Sequence, residues 1–203
     1  METIINGSLA ANEKKRQAYI PATMRVIDIA NRRILCTSDL PNMQEALLTG
    51  PIASGKTTFL QYITNENIPN GASGAPRKYQ VNNTPFNKVT DFSGADAWLK
   101  GSFDKYINEH GYILFFCDVA EYIRDLGYRK NANARMDMIV RCSKPSQIVL
   151  LVGTHIDMAP KKYNVKFEQH FAGKPYIRIL YRKVYVNTTQ KECVQTILNA
   201  LKD

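Results

Sequence analysis

The sequence predicts a three-layer α/β domain with a mostly parallel central sheet, preceded by an N-terminal β-hairpin extension. Three observations carry this. Two nearly continuous apolar runs, Tyr112 to Cys117 and Ile148 to Val152, have the composition of strands covered on both faces. From residue 46 to the end, strand-like and helix-like segments alternate, which is the order of parallel strands joined by crossover helices. Between the first of those strands and the first helix, Gly50 to Thr57 fits G-x-x-x-x-G-K-[ST] without a mismatch.

The extension is residues 1–43 and the main domain 44–203. Residues 1–20 are polar and read as a short helix or an arm. Met24 to Ile29 and Arg32 to Cys36 are β-prone runs around Ala30-Asn31, a predicted hairpin. Leu40 to Gln44 reads as a connection into a strand at 46–49. A helix is predicted over 56–65, because Phe59, Leu60 and Ile63 share a face. Residues 65–76 are rich in Asn, Gly, Ser and Pro and read as a loop. Lys78 to Val81 and Phe86 to Asp91 flank Asn82 to Pro85 as a second hairpin. A helix follows over 96–109. After the first buried strand comes a helical stretch, 119–142, with breaks expected at Gly127 and Asn131. After the second come a basic helix at 161–171 and two β-prone runs, Tyr176 to Leu180 and Lys183 to Val186. The last helix opens on Thr189-x-x-Glu192, a capping-box pattern. Its apolar face is Cys193, Val194, Ile197, Leu198 and Leu201.

A chain of 203 residues with 44% hydrophobic content suffices for one core. No stretch is apolar enough to cross a bilayer. The first residues lack the charged-then-apolar order of a secretory signal, Glu2 excludes myristoylation, and no cysteine ends the chain. A cytoplasmic location is expected. The four cysteines, Cys36, Cys117, Cys142 and Cys193, lie far apart with no zinc-ligand spacing. The net charge of +9 suggests electrostatic contact with an acidic surface. Its basic residues are spread along the chain without interleaved aromatics, so nucleic acid is not the expected partner.

The loop Gly50 to Thr57 carries the chemistry. Gly50 and Gly55 allow dihedrals and close approaches that a side chain would block. The N–H groups of Ala53, Ser54, Gly55, Lys56, Thr57 and Thr58, in the loop and the first turn of the helix, can converge on phosphate. Lys56 can reach the β- and γ-phosphates, and the Thr57 hydroxyl can take one position on magnesium. The motif alone does not separate ATP from GTP.

Two further motifs lie at strand ends, where open α/β sheets bind ligands. Asp91-Phe92-Ser93-Gly94 is a D-x-x-G: Asp91 can act on magnesium through water, and Gly94 can offer its N–H to a γ-phosphate. Gly153-Thr154-His155-Ile156-Asp157 follows the second buried strand. With these motifs in this order, the sequence resembles the small GTPases of the Ras/Arf superfamily over residues 44–202. T-H-I-D stands in place of N-K-x-D and resembles the variant of Roc-type GTPase domains. The resemblance implies a P-loop NTPase G domain that binds GTP or GDP with Mg2+. It implies that Asp157 reads guanine through a bidentate pair adenine cannot match. Thr154 then takes the place of the asparagine and His155 that of the lysine over the base. Asn187 and Thr188 fall where the family touches guanine O6 through its backbone.

There are departures. The loop 65–76 offers Ser73 and no threonine as the magnesium ligand of the first switch, and Thr84 stands too close to Asp91. Ala95 takes the place of the catalytic glutamine, so Lys56, Gly94 and Asp96 are left as the catalytic candidates. Ile52 is bulky where Ras-like members are small. The resemblance therefore implies a switch with slow or partner-assisted hydrolysis, binding a protein effector or regulator through 65–78 and 91–105. Two other classes stay open at this point. One is a nucleoside or nucleotide kinase, with Arg124, Arg129, Arg135 and Arg141 as a lid or as the wet face of a helix. The other is a non-hydrolysing scaffold, which Ala95 favours.

Overall fold

The computed structural model describes residues 26–28, 33–35, 41–69, 75–92 and 102–202. The chain divides into two units, Met1–Leu40 and Pro41–Asp203. In the first, β1 (Val26–Asp28) pairs antiparallel with β2 (Arg33–Leu35), Val26 opposite Leu35 and Ile27 opposite Ile34.

The second unit holds a six-stranded sheet of order β4-β5-β3-β6-β7-β8. Its strands are β3 (Asn42–Thr49), β4 (Arg77–Gln80), β5 (Lys88–Asp91), β6 (His110–Asp118), β7 (Ile148–Thr154) and β8 (Leu180–Tyr185). Only β4 runs antiparallel to its neighbour; the other four pairings are parallel. The helices are α1 (Lys56–Thr64), α2 (Phe103–Glu109), α3 (Val119–Arg124), α4 (Leu126–Cys142), α5 (Tyr163–Phe171) and α6 (Cys193–Asn199).

Period-two alternation divides the core into two layers. Ala46, Leu48, Leu114, Phe116, Leu150 and Val152 face one side and pack with Phe59 and Leu60 of α1 and Ile197 of α6. Leu47, Ile113, Phe115, Val149 and Leu151 face the other side. There they meet Phe103 of α2, Tyr122 of α3, Met136 of α4 and Phe167 of α5. Both apolar runs are central strands, as their composition requires, and all of these side chains are buried.

Four local expectations are corrected. β3 begins at Asn42, inside the segment read as a connection, because Glu45 and Ala46 already pair with Lys88 and Val89 of β5. The helical stretch after β6 breaks at Asp125, not at Gly127 or Asn131. Asp125 accepts from the Tyr128 N–H and caps α4, while its own N–H donates to Glu121 O. The run from Tyr176 is not a strand: Pro175–Arg178 is a single 3-10 turn that buries Tyr176. The capping box does not form. Thr189 gives both its N–H and its hydroxyl to Asn187 Oδ1, and α6 begins only at Cys193. Asn187, the better acceptor at a turn, outcompetes the box.

Candidate functional site

The C-terminal ends of β3, β5, β6, β7 and β8 lie on one side of the sheet, since these strands are parallel. The turn after β3 is the tightest part. Gly50 has φ 145°, and a Cβ there would stand 2.1 Å from Phe116 O of β6, so only glycine lets the loop cross that strand. Ala53 and Gly55 also have positive φ, 59° and 84°. α1 starts at once, without a side-chain cap and without an acidic residue in its first turn, and its first helical bond runs from Phe59 N to Gly55 O. The first amides of α1 have no acceptor one turn back within the helix, which leaves them available to an anion.

Lys56 is buried inside the loop. Its ammonium donates to Gly50 O at 3.0 Å, Pro51 O at 2.7 Å and Ser54 Oγ at 3.0 Å. Burial pushes its pKa down to about 8, while the negative charge of Asp91 works against that shift. Asp91, at the end of β5, is buried too, and burial raises its pKa against the pull of Lys56 and Arg77. Its Oδ1 is a buried oxygen without a hydrogen-bond partner among the described residues. The donor chemistry here, one hydroxyl from Thr57 and one spare carboxylate oxygen from Asp91, fits a hard cation that takes its remaining ligands from phosphate and water. Among the described residues no three His, Cys, Asp or Glu side chains gather as an all-protein metal cage.

The turn after β7 closes on the same loop. Thr154 is fully buried, and its hydroxyl lies 3.1 Å from Ser54 O, 3.2 Å from Cys117 O and 3.2 Å from His155 Nδ1. Thr188, after β8, is buried against Gly55. A Cβ at Gly55 would meet Thr188 Cγ2 at 3.1 Å and Thr154 Cγ2 at 3.4 Å. Thr154, Thr188 and the phosphate-loop motif are thus locked together by two threonines and a glycine. His155 has φ 52°, and its Nδ1 stands 2.9 Å from Asp118 Oδ2. The hydrogen bond that His155 donates to Asp118 holds its pKa above the ordinary value, against desolvation. Asp157 is exposed and carries no hydrogen bond or ion pair among the described residues. It does not cap a helix, since α5 starts six residues later. Asn187 is partly buried, with its side-chain oxygen turned to Thr189.

Ser73, Gly94, Ala95 and Asp96 lie outside the described residues. Thr84 sits in the β4–β5 turn, where its hydroxyl donates to Phe86 O. Ile52 is 56% exposed on the loop. Sequence reasoning missed Asp118. The signal was there: an apolar strand that ends in an aspartate directly before a helix, which Asp118 caps by accepting from Glu121 N at 2.9 Å. It also misplaced Arg135, which is not on a wet face but fully buried in α4, its Nε 2.9 Å from Asn131 Oδ1.

No protein-family model matches this sequence, and no curated protein matches it. Solved structures do. One is the crystal structure of the bacterial selenocysteine-specific elongation factor EF-Sec, with a TM-score of 0.61 and 15% sequence identity. The match covers 79% of this chain and 28% of that one, so this chain spans less than a third of that protein's length. The likeness is one of fold, a mixed α/β domain with a six-stranded, mostly parallel sheet. Among the described residues, no helix is long and apolar enough to cross a membrane.

Proposed function

We propose that the chain is a guanine-nucleotide-binding switch that works with magnesium and hydrolyses GTP slowly or with help from a partner. The observation that carries this reading is the packing of Thr154 and Thr188 against Ser54 and Gly55. It sets the T-H-I-D turn beside the phosphate loop, so one nucleotide can reach both. The loop amides and Lys56 would take the phosphates, and Lys56 would exchange its loop acceptors for phosphate oxygens. Asp157, exposed and unpaired, would accept from guanine N1–H and the exocyclic amine. His155, fixed by Asp118, would lie against the base. Thr57 and Asp91 would hold magnesium, with Ser73 as a further candidate ligand. The ion would neutralise charge developing on the phosphates.

Slow hydrolysis follows from Ala95, which has no group to orient water; Asp96 next to it would oppose the phosphates by charge. Gly94 would still offer its N–H to the γ-phosphate. Ile52, exposed on the loop, would obstruct an arginine brought in by a partner. A protein effector or regulator would read 65–78 and 91–105, and the cytoplasm is the matching location.

The test is nucleotide identity. Freshly purified protein is denatured and the released nucleotide separated, before and after incubation with GTP and magnesium. The expected result is GDP or GTP, not displaced by ATP, with GTP surviving prolonged incubation. Asp157→Ala is expected to lower GTP affinity by about a hundredfold or more and to leave ATP affinity unchanged. Bound ATP, or an Asp157→Ala protein that binds GTP normally, would overturn the reading. Rapid GDP formation by the protein alone would overturn the slow-hydrolysis part.

A further inference from the structure

Although the basic residues are spread along the chain, the excess of positive over negative charge is concentrated in one stretch. Of the net +9, residues 161–183 supply six charges: seven Lys or Arg against one acid, Glu168. Folding then sorts these seven. Lys183 pairs with Glu168 at 2.6 Å, and Arg182 donates to backbone oxygens of Ala200 and Lys202 beyond α6. The other five, Lys161, Lys162, Lys166, Lys174 and Arg178, are exposed and have no ion pair among the described residues. At the opposite edge of the sheet the arrangement differs: Lys78 and Lys88 both find Glu45.

The same stretch exposes apolar side chains. Val165, Ile177 and Tyr181 within it are 50, 54 and 38% exposed, and Met158 just before it is 55% exposed, together four of the seven large apolar residues left open among those described. α5 orders the two kinds of group. Phe167 and Phe171 fix its inward face. Lys162, Val165, Lys166 and Gln169 then recur at the i, i+3, i+4, i+7 spacing that makes one outward stripe. The 3-10 turn bearing Ile177 and Arg178 is packed beside α5 through Tyr176 against Phe171. Met158 and Lys161 lie in the loop that leads into α5.

We propose that this face docks on the surface of an anionic lipid bilayer. Five unpaired cations call for a polyanion, and their charge complementarity is to a surface, since they spread over a loop, a helix and a turn. The interspersed side chains choose among polyanions. Single-stranded nucleic acid is held by aromatic stacking between cations, whereas here the one exposed aromatic of the stretch, Tyr181, already carries the Arg182 guanidinium over its ring at 5.0 Å, and the other exposed groups are two aliphatics and a methionine, which insert among lipid headgroups. Weak apolar insertion and weak charge attraction add, as peripheral membrane binding requires. The proposal does not depend on the nucleotide reading.

The experiment is sedimentation of the full chain with vesicles of phosphatidylcholine alone and of equal parts phosphatidylcholine and phosphatidylserine. Binding is expected to the mixed vesicles only, and to fall as salt rises. Lys162→Glu combined with Lys166→Glu is expected to lower that partition by roughly tenfold or more. Val165→Ser combined with Ile177→Ser is expected to lower it while leaving its salt dependence in place. Lys78→Glu with Lys88→Glu, at the other edge, is the charge control and should change it much less. Circular dichroism checks that each variant folds. Absence of binding to the mixed vesicles, or binding unchanged in both stripe variants, would overturn the proposal. So would single-stranded RNA binding that the stripe variants abolish in a protein indifferent to vesicles.

Discussion

The two ends of the central sheet treat their polar groups in opposite ways. At the start of β6, His110 is fully buried, yet its ring nitrogens lie 2.7 Å from Tyr106 O and from Thr90 Oγ1, with Glu45 3.7 Å away. Gln147, also buried, donates to Ile107 O and, at 2.6 Å, to His110 O. At the other end, Thr49 Oγ1 and Asp91 Oδ1 are the buried side-chain atoms without a hydrogen-bond partner among the described residues. Ala53 and His155 are held there at positive φ, as Asn83 is in the β4–β5 turn at the other end, while Gly50 and Gly55 take positive φ without a side-chain penalty. Strain and unmet polar groups each cost about 1–3 kcal/mol. The unmet polar atoms among the described residues lie at the end of the sheet where the loops converge and mark it as built for a ligand, while the other end is built for cohesion.

The largest expected effect is at the strained end. Gly50→Ala forces a Cβ onto a backbone oxygen and onto a φ that L residues avoid. A loss of about 3–5 kcal/mol is expected in urea unfolding. An unfolding midpoint equal to the wild type would show that the loop can move off β6, and would remove the argument for a rigid cradle. Next comes Lys56→Ala. Here the two ends should separate in kind: GTP affinity should fall by about a hundredfold, while stability should change by less than about 1 kcal/mol, since the loop carbonyls it leaves can reach water. Lys56 also predicts a pH effect. Its charge is lost above about pH 8, so affinity should fall as pH rises beyond that, by at most about tenfold per unit. Affinity flat across that range would mean that Lys56 does not hold the phosphates.

Gln147→Leu is the matching change at the cohesive end. It strips the carbonyls of Ile107 and His110 of their donor inside the core, at an expected cost of about 2 kcal/mol with GTP affinity unchanged. A variant that lost affinity and kept stability would break the contrast between the two ends.

The two ends also differed in how well the sequence announced them. The phosphate loop could be read letter by letter, because a glycine under backbone constraint and a buried lysine tolerate few substitutes. The central strands could be read too, since burial on both faces leaves a run of apolar letters. The cohesive end could not. His110, Thr90, Glu45 and Gln147 come from four separate segments, and no local spacing ties them. Asp118 was hidden for the same reason: its partner His155 lies in the next strand's turn. The capping box at Thr189 misled because Asn187, two residues earlier, offered the backbone a stronger local acceptor. The run from Tyr176 misled because β-prone letters were serving the aromatic packing of Tyr176 against Phe171 instead of a ladder.

The smallest effect, and the finest test of the contrast, is the pH dependence of stability through two histidines. Burial holds the pKa of His110 below its ordinary 6.5, although Tyr106 O and Glu45 oppose the shift and Lys78 reinforces it. Between its folded pKa and 6.5 the unfolded chain therefore binds more protons. Stability from His110 is fully present above pH 6.5 and is lost as pH falls through the folded value. His155 has the opposite sign. Asp118 raises its pKa, with Asp157 and Glu121 adding to that effect. Its contribution is fully present below pH 6.5 and is lost as pH rises through the folded value. Urea midpoints measured from about pH 5 to about pH 8 should thus bend down on both sides. His110→Gln should reduce the acid limb, to which His170, lowered by burial and by Arg129, also contributes, and His155→Gln should flatten the alkaline limb alone. If His155→Gln left the alkaline limb as it was, the Asp118 pair would not hold the His155 imidazole in the way the base-side reading uses it. If His110→Gln left the acid limb as it was, the buried histidine would not be the neutral tie that distinguishes the cohesive end.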